Sequence, residues 1–286
     1  SGLLPSTTYY AKVWTQDWVG LWSAPSNQAA VLTAPLPPVP DVFLNGQLAS
    51  LVLGQSNFTA GSTNQGGSVS PSGMNNPRHV LFDSSGNLWV ADGPNNRVLR
   101  FVPPFSNGMS ATLVLGQGNL SAAGAATTPS GMNGPSSLAF DKPGNLWVAE
   151  YANNRVLRFS PPFSSGMSAD LVLGQSGFTT AAAGSGPAGL TLTWGGVAVG
   201  ESGIVWVADS SNNRVLGFSP PFTNGMNASL VLGQADFTGA SANRGGSPGQ
   251  NTLSGPTKLS VATDGSLWVG DTGNNRALRF VPPFSN

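Results

Sequence analysis

Cysteine is absent from the 286-residue chain, which excludes disulfides, thiolate nucleophiles and zinc–thiolate centres together. Histidine is nearly absent: His79 stands alone, so a multi-histidine metal centre cannot be assembled from these residues and a Ser–His–Asp relay has one place to be. Charge is also scarce, with 12 basic and 12 acidic residues and a net charge of zero. That balance argues against nucleic acid or an anionic bilayer as partner. No apolar run approaches the ~18 residues of a spanning helix. Phosphate-binding G-x-x-x-x-G-K-[ST] and calcium-loop spacings are missing too. No metal and no cofactor is expected.

What the chain has instead is turns and repetition. Its 38 glycines and 23 prolines are matched by 8 tryptophans and 14 phenylalanines, a turn-rich globular composition rather than a disordered one. "LVLGQ" begins at residues 51, 113, 171 and 230, and Trp89, Trp147, Trp206 and Trp268 keep nearly the same step. Each unit of about 60 residues contains an apolar strand, a Gly turn, an "LWVAD" strand, a four-residue turn, an "NRVLRF" strand, a "PPF" loop and "LVLGQ". Four short strands with Gly, Pro or Asn between them predict a four-stranded antiparallel sheet, repeated four times.

"GNLWVADGPNNRVLRF" and its three relatives resemble NHL repeats. The resemblance covers residues 45–286 and implies an all-β fold, a propeller of four four-stranded blades that forms part of a larger one. It also implies a scaffold for binding, with lyases and lactonases as a minority of related propellers. An alternative closure has the first "LVLGQ" supplying the outer strand of the last blade, which would make a ring of four. Residues 1–34 resemble the end of a fibronectin type III domain, with Leu3, Pro5, Thr7 and Tyr9 matching its tyrosine corner. Residues 35–44 read as a Pro-rich linker.

Repetition separates architecture from function. Asp92 and Arg97, Glu150 and Arg155, Asp209 and Arg214, and Asp271 and Arg276 flank the same turn in every copy. They are structural hairpin pairs, with the intervening Asn residues suited to left-handed backbone. A repeated Trp at a strand centre is core rather than a sugar platform. Glu201 with Asp83, Asp141 or Asp264 offers paired carboxylates, but these acids fall in turns where Asp commonly binds backbone.

Function belongs where the copies disagree. The long Ser/Thr/Gly-rich connections 56–76, 118–134, 176–193 and 235–255 are binding elements or mobile segments, with Phe58, Leu120, Phe178 and Phe237 as anchors. The positions entering each innermost strand read Pro77-Arg78-His79, Pro135-Ser136-Ser137, Trp194-Gly195-Gly196 and Pro256-Thr257-Lys258. In a propeller these surround one mouth of the central channel. Arg78, His79, Trp194 and Lys258, none dictated by the repeat, are the expected ligand-binding residues. The expectation is therefore a non-enzymatic, extracellular or cell-surface, bacterial recognition scaffold for a protein, peptide or carbohydrate. A structural or adhesive array, and a fragment of a propeller lyase or lactonase, are the alternatives.

Overall fold

The computed structural model describes residues 8–11, 29–32 and 45–285. It divides into two units, Ser1–Ala49 and Ser50–Asn286. In the first, β1 (Thr8–Ala11) pairs antiparallel with β2 (Ala29–Leu32), Thr8 opposite Leu32. Tyr9 lies in β1, whereas Leu3, Pro5 and Thr7 of the predicted corner lie outside the described residues.

The second unit is a β-propeller of four sheets. Blade 1 comprises β3 (Pro77–Phe82), β4 (Leu88–Asp92), β5 (Arg97–Phe101) and β6 (Leu113–Leu115). Blade 2 comprises β7 (Pro135–Phe140), β8 (Leu146–Glu150), β9 (Arg155–Phe159) and β10 (Leu171–Leu173). Blade 3 comprises β11 (Val197–Val199), β12 (Val205–Asp209), β13 (Arg214–Phe218) and β14 (Leu230–Leu232). Blade 4 has β15 (Pro256–Val261), β16 (Leu267–Asp271) and β17 (Arg276–Phe280), three strands among the described residues. Within each sheet the strands follow chain order, and the first strands β3, β7, β11 and β15 run side by side as the inner wall.

The repeated tryptophans form the blade-to-blade seams. Trp89 meets Phe163 of the next "PPF" loop at 4.9 Å between ring centres, Trp147 meets Phe222 at 5.0 Å, and Trp206 meets Phe284 at 4.7 Å, all edge to face. These three indoles are essentially inaccessible, whereas Trp268 is 44% exposed. At the opposite end Val80 and Phe82 of blade 1 are exposed as well. Among the described residues the four blades thus form an open arc. Leu51–Leu53, proposed above as an outer strand for blade 4, is in no strand. Val52 instead donates its N–H to Asn107 Oδ1 (2.9 Å) and accepts from Gly108 N–H (3.0 Å) in the "PPF" loop of blade 1.

The hairpin pairs do more than neutralise a turn. Asp92 stands opposite Arg97 in the ladder, as a turn of four residues requires, and both side chains are fully buried. Arg97 Nε bonds Asp92 Oδ2 (2.8 Å), its Nη2 reaches Ser70 O (3.0 Å) and Gly73 O (2.7 Å), and its Nη1 reaches Leu120 O. Asp92 Oδ1 accepts the Asn75 N–H (2.7 Å). Arg155 and Arg214 repeat this pattern, their Nη1 groups reaching Phe178 O and Phe237 O. Each of these three pairs therefore clamps two long loops to one blade, a desolvated network rather than an exposed cross-strand contact. Burial raises the Glu150 and Asp209 carboxyls, with the neighbouring guanidinium pulling each back down.

Of each Asn pair the second takes the left-handed backbone (Asn96, φ 53°) and ties the hairpin outward. Its side-chain Nδ2 donates to Ala123 O (2.9 Å) and its Oδ1 accepts from Gly134 N–H of the next blade (2.9 Å). Gln117 adds bonds to Asn96 O and Gly124 O, both 2.8 Å. The long connections are consequently pinned. Leu120, Phe178 and Phe237 pack on the cores, while Phe58, expected as their counterpart, is exposed.

Candidate functional site

Three of the four expected site residues line one cavity at the mouth of the inner wall. It measures about 310 Å³ and is bordered by Pro77, Arg78, Ser136, Trp194, Thr257 and Lys258, contributed by all four blades. Its geometry starts from glycine. In blade 3 the inner strand begins late, because Gly195 and Gly196 let neighbouring backbone come close. A Cβ on Gly195 would lie 2.6 Å from Ala208 O, and one on Gly196 would lie 2.7 Å from Thr257 O. Immediately before them Trp194 adopts φ 91°, a conformation a bulky side chain rarely takes.

That turn lays the indole across the mouth. The Arg78 guanidinium carbon sits 3.8 Å from the Trp194 ring centre, and the Tyr151 ring centre lies 5.0 Å from it, the two rings tilted by 35°. The stem of Arg78 crosses Gly93, where a Cβ would come within 2.8 Å of Arg78 Cγ. Arg78 Nε is buried with no hydrogen-bond partner. Lys258 extends from blade 4 toward blade 2, its Nζ 3.4 Å from Ser136 O. Burial, and then Arg78, hold Lys258 below its ordinary range. Among the described residues no ion pair includes Arg78 or Lys258, while every hairpin acid already has its arginine.

His79 is placed differently from the expectation. It belongs to the inner wall rather than the cavity rim, and its Nδ1 accepts the Leu138 N–H of blade 2 at 3.2 Å. Burial, followed by Lys258, keeps its pKa below the ordinary 6.5. A neutral ring is therefore part of the blade 1–blade 2 seam. The unfolded chain takes up a proton near pH 6.5 that the folded chain refuses, so stability falls as the pH drops below that value. His79→Gln, whose carbonyl can accept the same N–H, is expected to have a shallower loss of melting temperature between pH 7.5 and 5 than the parent. Equal slopes in thermal melts would show that His79 does not carry this linkage.

Tyr151 and the Ser136 carbonyl were not anticipated. Tyr151 had a signal, since it stands where the other hairpins carry Gly93, Ser210 and Thr272. The carbonyl had none, because backbone direction is invisible in a side-chain alignment. The turn acids do not pair with Glu201. Asp83 and Asp141 accept the Trp89 and Trp147 indole N–H at 2.8 and 2.9 Å, and Asp264 bonds Ser266 and Arg279. Glu201 reaches Lys142 at 3.4 Å, both side chains largely solvated. The spacing G-x-S-x-G occurs at 245–249, but Ser247 is exposed in the loop between β14 and β15 rather than on a strand-to-helix turn. Among the described residues no three potential metal ligands cluster.

Residues 195–218 match the NHL repeat, the first three strands of blade 3. No curated protein matches the chain. Among solved structures, a catalytically inactive virginiamycin B lyase from Staphylococcus aureus with quinupristin is 12% identical, with a TM-score of 0.44 over 96% of this chain and 61% of that one. A streptogramin B lyase is 12% identical with a TM-score of 0.41, over 96% and 60%. A candidate 6-phosphogluconolactonase from Bacteroides uniformis ATCC 8492 is 15% identical with a TM-score of 0.46, over 72% and 50%. The chain spans about 60% of the length of the two lyases. It is thus a β-propeller containing an NHL repeat.

Proposed function

We propose that this propeller is a non-enzymatic, exported recognition scaffold, and that its channel mouth holds an acidic ligand, a peptide or a carbohydrate carrying carboxylate. The observation behind this reading is the cavity where Arg78, Trp194 and Lys258, each departing from the repeat, come together with no acidic partner among the described residues. Two neighbouring cations, Arg78 half-buried and Lys258 at the exposed rim, gain from an incoming anion, and the buried Arg78 Nε gains a partner. The indole adds an apolar wall on which a sugar or an aliphatic stem can lie.

A glycan and peptide array probed with the parent chain and with Arg78→Ala/Lys258→Ala tests the reading. The parent should retain acidic probes selectively, with binding weakened by added salt. The double variant should bind at least about a hundredfold more weakly, as expected when two charge-assisted contacts are lost. Its unfolding midpoint should stay near that of the parent, because neither side chain supports the core. Retention of acidic probes by the double variant would sink the proposal, as would a parent chain that binds neutral and acidic probes alike.

A further inference from the structure

The turn between the first two strands of a blade carries the acceptor for that blade's indole. In blades 1 and 2 it is Asp83 and Asp141, whose Oδ2 atoms accept the Trp89 and Trp147 Nε1–H. Asn87 and Asn145 brace the same carboxylates at 2.9 Å. Blade 3 has Gly200 in place of the acid and Ile204 in place of the amide. Trp206 is still only 1% exposed, yet among the described residues its Nε1–H has no acceptor.

The facing blade shrinks at the same place. Blade 2 sets Phe140 and Phe163 against Trp89. Blade 4 sets Phe284 against Trp206, and Val261 stands where blade 2 has Phe140. A Cβ on Gly200 would lie 3.2 Å from Val261 Cγ1, so the vacated acid position faces this smaller side chain. The outcome is a cavity of about 220 Å³ bordered by Gly200, Ile204, Trp206, Val261 and Phe284. The corresponding groove between blades 1 and 2 is bordered by Asp83, by no tryptophan and by nothing that follows Phe163 in the chain. At the blade 2–3 seam Val199 also replaces the phenylalanine, but Asp141 remains and Trp147 keeps its acceptor. Loss of acceptor, loss of volume and an apolar wall thus coincide at one seam.

We propose that this cavity is a second ligand site, for a small neutral molecule with a compact apolar body and one carbonyl-type oxygen that accepts the Trp206 Nε1–H. A buried donor without an acceptor carries a desolvation cost that such an oxygen relieves. The space suffices, since an apolar cavity of about 150 Å³ already takes benzene. The charge that borders it is Glu201, largely exposed and paired with Lys142 at 3.4 Å, so an anion would be desolvated there and meet a like charge. The site is separate from the channel mouth: Trp194 precedes β11 and Gly200 follows it.

Acetophenone is the probe, with ethylbenzene as its match lacking the oxygen and benzoate as the anionic counterpart. In proton–nitrogen correlation spectra the Trp206 indole signal, identified by its loss in Trp206→Phe, should shift and saturate with acetophenone. Ethylbenzene should bind about tenfold more weakly, as expected when one hydrogen bond to a buried donor is lost, and benzoate should leave the signal in place. Gly200→Asp restores the acceptor of blades 1 and 2, and Val261→Phe refills the volume as Phe140 does. Each should abolish the acetophenone shift while unfolding cooperatively on heating; if one variant does not fold, the other decides. A Trp206 signal unmoved by acetophenone at about 10 mM, well above a millimolar dissociation constant, would overturn the proposal. So would a shift retained by a folded Gly200→Asp or Val261→Phe variant, or equal affinity for ethylbenzene or benzoate.

Discussion

Arg155→Ala lowers the unfolding free energy by about 3–5 kcal/mol, the range for removing one partner of a buried ion pair. Glu150 would be left without its counter-charge at full burial, and Phe178 O, Thr128 O and Gly131 O would lose their donor together. Urea unfolding at neutral pH measures this. The deficit should narrow as the pH is lowered from 8 to 5. Burial already raises Glu150, and an acid whose folded pKa lies above its unfolded value stabilises the fold as it takes up a proton. The blade 4 counterpart supplies the control. Arg276 is partly solvated and holds two loop carbonyls rather than three, so Arg276→Ala should cost clearly less. Equal losses in the two variants would show that the clamp is not what burial makes it.

The tryptophans should separate in the same direction. Trp147→Ala removes a fully buried ring wedged between Phe222 and its own sheet, and its indole N–H leaves Asp141. A cost of about 3–5 kcal/mol is expected from the lost burial and the cavity. Trp268→Ala removes a ring already 44% exposed and should cost about 1 kcal/mol in a dilute monomer. Near-equal midpoints for the two variants in urea would contradict the seam arrangement.

Much of the fold was legible because each blade repeats one local phrase. The strands and the Asp-x4-Arg hairpin need only neighbours in sequence, and four copies make the pattern unambiguous. The burial of the hairpin pairs was not legible. Whether a charge pair is solvated depends on which distant loops fold over it, and Ser70, Gly73 and Leu120 come to Arg97 from 23 to 27 residues away on either side. The same reason explains why the long connections look mobile in composition yet are pinned. Side-chain donors such as Arg97 and Gln117 bond their backbone carbonyls, which carry no residue signature.

At the mouth, sequence selected Arg78, Trp194 and Lys258 as departures from the repeat, and only packing decided what the departures make together. Arg78 reaches Trp194 because Gly93 has no Cβ and because Trp194 takes a left-handed backbone. Lys258 reaches from blade 4 across the mouth to Ser136 of blade 2 because the inner strands stand side by side. His79 was selected by the same rule and went into the wall instead, its ring accepting a strand N–H. By itself the sequence determined that this is a repeated β-sheet protein and which positions are architectural, since those depend on local periodicity. The tertiary structure decided which unrepeated side chains share a cavity and that the described blades stand as an open arc, since both depend on how each blade rotates against the next.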